Sequence, residues 1–435
     1  MSGLPPTRPR RGRAAPWDPM RGDESDFRLL WTGDIVSQIG SQITLFALPY
    51  LAVVALRAGG GQIGPLQALY TLPFLLVPLA AGVWLERRSL RSVLVATNLG
   101  CAVLVLSVPL LAAAGRLSLT QLYVIAVLGG AATVTAEIAK LTLVPQLVRA
   151  DRLATANSRL GIGIAVGITA GPGLAGLLTG AVGAPFALIV DGATYVFCVA
   201  TVLRIRHREP AHRPPPGRDL RAELADGLRT VFGTPPVRWI AIHAALFNAA
   251  VQVLSVAVLL YFVRDLGFGG GAYGVVLLCG GVGAVLGSLA APALIRRLGH
   301  GRAMLGALGL CVNAFWFLPL AHGGRTVTVV WFALTLLVGL IGSGVGGVVA
   351  TTVRQLLTPV ALHRKMNGSY QMVNFGAIPV GALVGGALAD RLGAHTTLWV
   401  AAAVLVVAVT PLAARPVRSL GPVLVQAEPD PLPTD

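Results

Sequence analysis

Gly82-Val83-Trp84-Leu85-Glu86-Arg87-Arg88-Ser89-Leu90-Arg91 is an island of charge between two long apolar runs, residues 62–84 and 92–114. Each run is long enough to cross a bilayer as a helix, which takes about 20 apolar residues. The stretch between them is therefore a tight loop on one membrane face. Its arginines say which face, because basic residues collect in cytoplasmic loops. Reading outward by hydropathy and helix breakers gives twelve spans, at about 31–56, 62–84, 92–114, 119–143, 155–181, 184–204, 238–263, 271–295, 301–321, 326–348, 366–390 and 394–414. The expected fold is all-α and polytopic.

Composition agrees. The chain has 435 residues, 55% hydrophobic and only 12% charged, whereas a soluble domain carries about 25% charged residues. The net charge of +16 would suggest nucleic acid in a soluble protein. Here the partner is the lipid bilayer, and the placement of charge matters more than its sum. Cys101, Cys198, Cys279 and Cys311 sit in four separate apolar runs, which suggests neither a disulfide framework nor a zinc site. No cofactor or metal is expected.

With both termini in the cytoplasm, only Arg57, Arg116, Arg264, Arg325 and Arg391 of the 34 Lys/Arg fall on the outer side. That asymmetry fixes the expected topology and makes the Gly82–Arg91 loop cytoplasmic. Arginine outnumbers lysine 32 to 2, which hints at a GC-rich bacterial genome and hence a bacterial plasma membrane. Residues 1–26 and 415–435 are Pro-rich and read as disordered tails. Segment 205–237 reads as a cytoplasmic linker. Within it Leu220, Leu224, Leu228 and Val231 recur at helical spacing, as in an amphipathic surface helix or a plain connecting helix.

The two halves, 27–204 and 238–414, repeat each other. Asn157, Gly171 and Gly176 recur 210 positions later as Asn367, Gly381 and Gly386, and Gln38 and Gln42 recur as Asn248 and Gln252. Six helices, a linker and six similar helices imply two pseudo-symmetric bundles about an axis along the membrane normal.

The loop pattern Gly-x-x-x-acid-Arg-x-x-Arg resembles the signature between the second and third helices of major facilitator superfamily transporters, with Glu86 where the family usually has Asp. Phe27-Arg28-Leu29-Leu30-Trp31, Ser37-Gln38-Ile39-Gly40, Ala47-Leu48-Pro49, the run Leu147 to Asn157 and Asp226-Gly227-Leu228-Arg229 resemble the branch containing bacterial enterobactin exporters and macrolide efflux proteins. The fifth span carries Gly167-x-x-x-Gly171-Pro172-x-x-Ala175-Gly176, similar to that family's antiporter motif, which is associated with export. Tight packing of Gly-rich helices is the alternative reading. For Gly82, Glu86, Arg87 and Arg91 the resemblance implies a cytoplasmic gate latch; a set of topology-setting charges is the alternative.

Ionisable groups inside spans are costly to bury, so each is a functional candidate. Asp191, Asp34 and Glu137 are the candidates for proton coupling. Asp34 lies one turn inside its span, where snorkelling to water competes, and Glu137 is spaced to pair with Lys140. Asp34, Gln38, Ser41 and Gln42 form one polar stripe on the first span, and Asn248, Gln252 and Ser255 another on the seventh. Two such stripes on symmetry-related helices suggest walls of a substrate cavity.

The expected function is secondary active efflux, as in drug or multidrug resistance. A small amphiphilic molecule (drug, antibiotic or siderophore-like metabolite) would be exported in exchange for protons, by a monomer working through alternating access. An importer, a facilitator or a membrane receptor is the alternative. No Walker A loop, zincin helix or Gly-x-Ser-x-Gly elbow occurs, so an enzyme or ATP-driven pump is not expected.

Overall fold

The computed structural model describes residues 24–78, 88–149, 152–207, 209, 220–358 and 363–421. Helices α1 (Glu24–Val54), α2 (Gly60–Thr71, helical again over 73–78), α3 (Leu90–Ala113), α4 (Leu119–Leu147), α5 (Leu153–Val182) and α6 (Ala184–Leu203) form the first half. After the linker helix α7 (Leu220–Gly233) come α8 (Pro235–Leu259, continued by a π turn over Leu260–Asp265), α9 (Gly270–Leu298), α10 (His300–Phe315), α11 (Arg325–Leu357), α12 (His363–Leu392) and α13 (Ala394–Val409). Among the described residues, eleven helices are long and apolar enough to cross a membrane. The remaining expected span is α2, which runs into residues 79–87, outside the described set.

Local chemistry sets the ends. Ser89 and Ser118 cap α3 and α4 by accepting from the amides of Ser92 and Gln121. Gly183 and Gly393 turn directly from α5 into α6 and from α12 into α13 at φ 84° and 82°, a backbone that suits glycine. These two hinges are again 210 positions apart. The outward surface is apolar: Leu110 and Leu289 are 71% and 73% exposed, which suits lipid rather than water.

In the first half α1 packs between α5 and α6, and α3 joins α6 to α4; in the second, α8 packs between α12 and α13, and α11 joins α9 to α10. Between the halves, α5 lies against α9 and α2 against α12. The starts of α3, α5, α10 and α12 share one face, here termed the basic face.

The buried side chains show how the halves meet. One large apolar cluster joins both halves away from the basic face, running from Ile43, Leu51 and Ile63 to Phe262, Tyr273, Phe332 and Leu398. Towards the basic face the core divides. Leu30, Leu94, Leu143 and Val202 form one cluster within the first half, and Ile240, Met304, Val349 and Met366 form another within the second. The described halves are thus fused at one face and separately cored at the other.

The fused face is built on glycine. A Cβ on Gly176 would overlap Gly274 and lie 2.7 Å from the Gly270 carbonyl oxygen. A Cβ on Gly64 would lie 2.6 Å from the Ala382 carbonyl oxygen, and one on Gly386 2.9 Å from the Gly64 Cα. Gly60 and Gly64 recur 210 positions later as Gly270 and Gly274, so the α2–α12 and α5–α9 seams are symmetry copies of one another. Small residues at such crossings let backbones meet and gain van der Waals contact without a hydrophobic driving force. Each seam also has a polar tie across the halves: the Gly61 amide donates to the Asp390 carboxylate (2.7 Å), and the Gly270 amide donates to the Tyr50 hydroxyl (2.9 Å).

Candidate functional site

The polar stripe on α1 does not serve a single surface. Its members face three different neighbours in turn as the helix rotates.

At the basic-face end, Asp34, Gln38 and Ser41 line a small cavity of about 60 Å³ inside the first half, with Asn98, Cys101, Thr133, Glu137, Lys140 and Tyr195. Lys140 is its centre. The ammonium donates to Asp34 Oδ1 at 2.7 Å and pairs with Glu137 Oε2 at 2.5 Å, with the Lys140 side chain only 3% exposed. The Glu137–Lys140 pair expected from spacing is present. Asp34 completes it from a helix 106 positions away, and Glu137 is the more solvated carboxylate at 36% exposure. The Ser41 hydroxyl meets the Tyr195 hydroxyl at 3.0 Å.

Nearer the fused face lies Asp191, with no exposed surface. Thr44 Oγ1 donates to Asp191 Oδ2, and Thr194 Oγ1 donates to Oδ1 at 3.1 Å while also holding the Asp191 main-chain carbonyl at 2.7 Å. A Cβ on Gly40 would collide with Asp191 and Thr194, so α1 and α6 close tightly over the carboxylate. No charged side chain contributes a hydrogen bond to it among the described contacts; two hydroxyls hold it.

Thr44 has a second neighbour. Between the halves is a cavity of about 210 Å³, lined by Thr44, Leu45, Leu48 and Pro49 of α1, by Leu66, Gln67, Tyr70 and Thr71 of α2, by Ala126 of α4, and by Gln252 and Ser255 of α8. The Gln252 amide donates to the Gln67 carbonyl across the cavity, bridging the two halves. Amides and hydroxyls therefore supply its polar groups, on otherwise apolar walls.

Of the expected cavity residues, Gln252 and Ser255 line this space between the halves. Gln38 and Ser41 line the smaller cavity within the first half. Gln42 packs against Gly171, and the Asn248 amide donates to Asn374 of α12 at 2.7 Å, within its own half. The fifth-span motif also divides. Gly167 and Gly171 receive α1 at Gln38 and Gln42, whereas the Pro172 carbonyl and Gly176 meet Gly274 of the other half.

Gly82, Glu86 and Arg87 of the loop lie outside the described residues. Arg91 is described: its guanidinium donates to the Val202 and Leu203 carbonyls at the end of α6. Glu209, which the sequence reading passed over, accepts from the amides of Leu90 (2.6 Å) and Arg91 (2.8 Å), a carboxylate at the helix N-terminus where backbone donors are free. Thr44, Gln67 and Tyr70 were also passed over. Thr44 continues the α1 stripe three residues beyond Ser41, the one signal that marks it.

Two helical bundles that among the described residues are fused at one face and separately cored at the other, with an amide- and hydroxyl-bearing cavity between them, define a multi-pass membrane transporter. The chain belongs to the Major Facilitator Superfamily, whose family model matches residues 30–382. It is 26% identical over 377 residues to the multidrug efflux pump Tap of Mycolicibacterium fortuitum, covering 82% of this chain and 88% of that one. Its fold is similar to the crystal structure of the nucleoside transporter NupG, with TM-score 0.72, 15% identity, and 89% and 98% of the two chains covered. It is also similar to a bacterial homologue of the iron transporter ferroportin, at 18% identity with 89% and 98% covered. There the TM-score is 0.69 to the inward-facing state and 0.55 to the outward-facing state. Members of this family handle small molecules within the membrane.

Proposed function

We propose that the chain exports a small amphiphilic molecule, such as a drug, an antibiotic or a siderophore-like metabolite, from a bacterial cytoplasm in exchange for protons. In this reading the basic face and both termini are cytoplasmic, in line with the placement of arginines, and the described conformation is open inward. The protein works as a monomer by alternating access, the two halves rocking about the cavity.

The observation that carries the reading is the contact of Thr44 with both Asp191 and the cavity between the halves. A carboxylate with no exposure, held by two hydroxyls, is a proton site whose charge is felt where substrate binds, and intramembrane acids of this kind mark proton relays. Substrate binding and protonation then favour different states of one equilibrium. Support for export comes from the efflux-pump relative and from the fifth-span motif. The uncharged amide and hydroxyl lining of the cavity supports a neutral or weakly charged cargo.

The test is transport in everted vesicles loaded with a panel of fluorescent amphiphiles under an imposed pH gradient, comparing wild type with Asp191→Asn and Asp34→Asn. Gradient-driven movement that Asp191→Asn abolishes is the expected result. Movement indifferent to the gradient and to both variants would overturn the coupling.

A further inference from the structure

Thr44 does more than touch two sites. Its hydroxyl has one proton to give and two lone pairs to offer, and it stands between a titratable group and the substrate space.

With Asp191 ionised, the carboxylate only accepts. Thr44, in hydrogen-bond contact with Oδ2, must then donate its single proton to it, and what remains for the cavity that Thr44 lines is an acceptor. With Asp191 protonated on Oδ2, the acid O–H becomes the donor and Thr44 the acceptor. The Thr44 proton is then free to turn towards the cavity that Thr44 lines. No proton passes through Thr44; the hydroxyl turns. Thr194 is less able to do this, because its hydroxyl also holds the Asp191 carbonyl at 2.7 Å. The titratable groups near Asp191 are Tyr70 of α2, Cys101 of α3 and Tyr195 of its own helix, all uncharged at neutral pH, so the carboxyl governs the local change of charge.

We propose that Thr44 is the positioning residue that converts protonation of Asp191 into a reversal of hydrogen-bond polarity in the substrate cavity, and that the exported molecule therefore presents an N–H or O–H donor to it. This rests on the antiport reading and extends it to a substrate class. An ionised Asp191 leaves an acceptor for the substrate's donor. A protonated Asp191 sets donor against donor, so that proton and substrate compete, as exchange requires. A cargo bearing acceptors alone would bind better with the proton and could not be exchanged for it at this site.

The experiment is equilibrium binding to the purified full chain in lipid nanodiscs, at alkaline and acidic pH, of two matched dyes: a rhodamine methyl ester with free amino N–H groups and its N-tetramethylated analogue. For wild type, acidification is expected to weaken the N–H dye about tenfold more than the tetramethyl dye, the scale of one hydrogen bond lost and one donor left facing another. Both dyes carry the same delocalised positive charge, so the loss of the Asp191 charge weakens both alike and cancels in the comparison. Thr44→Val, which keeps the shape and removes the hydroxyl, should abolish the difference between the dyes, and Thr44→Ser should restore it. An equal acid response for both dyes, or a Thr44→Val protein that keeps the difference, would overturn the proposal. Dye efflux from liposomes separates the two possible failures. If wild-type efflux ignores the pH gradient, the antiport reading and the Thr44 relay both fall. If efflux follows the gradient while Thr44→Val keeps the dye difference, the relay alone falls.

Discussion

Gly176→Ala should open the fused face. The new Cβ would lie 2.7 Å from the Gly270 carbonyl oxygen and 2.9 Å from the Gly274 nitrogen, and would overlap the Gly274 Cα. These are backbone atoms and cannot rotate away. Ordinary contact begins at 3.4 Å, so α5 and α9 must part by at least the difference from 2.7 Å, about 0.7 Å. Overpacking of this kind costs about 1–3 kcal/mol, and the cost falls only on the state in which the seam is closed. The equilibrium should therefore move about 5- to 150-fold towards the state that separates the halves at this face. Gly180→Ala is the control on the same helix, since its Cβ would meet its nearest neighbour at 3.4 Å. Double electron–electron resonance between spin labels on the ends of α5 and α9 at that face is the assay. A longer distance in Gly176→Ala, with Gly180→Ala matching wild type, is expected. Wild-type distances in both variants would refute the reasoning.

Other perturbations follow from the same contacts. Asp390→Asn should weaken the closed face by about 0.5–1 kcal/mol, because a charged carboxylate at the α2 N-terminus becomes a neutral amide. Tyr50→Phe should loosen the tie at the other seam by a similar amount, and labelling of cysteines placed at each seam reads both. Lys140→Met should leave Asp34 and Glu137 without their shared cation. Breaking a buried pair costs about 3–5 kcal/mol, less here because Glu137 is partly solvated, and thermal unfolding in detergent measures it. Adding Asp34→Asn to Lys140→Met should recover most of the loss.

The membrane spans were legible because crossing a bilayer demands long uninterrupted apolar runs. Half of each glycine seam was also visible, since Gly176 and Gly386 lie in helix interiors where glycine is conspicuous. Their partners Gly60, Gly64, Gly270 and Gly274 lie at helix starts, where glycine reads as a turn, so the seam was seen without the surface it meets. The α1 stripe gave the polar face but not its partners. Helical spacing cannot tell whether a residue one-third of a turn round meets the other half of the molecule or a neighbour in its own, and Gln42 and Asn248 met neighbours. Asp34 reached Lys140 across 106 positions, a pairing that no local spacing encodes. Asp191 offered no partner in its own span but Thr194, and its link to the cavity is a threonine among apolar residues, a residue type that usually bonds to its own helix.

The most direct test of the account is proton release on binding. Calorimetric titration of the purified protein with an N–H-bearing rhodamine methyl ester, in buffers of different ionisation enthalpy, reports the protons exchanged at equilibrium. Wild type should release a proton as the dye binds near the pH at which Asp191 titrates, and Asp191→Asn should bind the dye with no release. Binding without proton release by wild type, or release unchanged in Asp191→Asn, would contradict the claim that this carboxylate couples protons to transport.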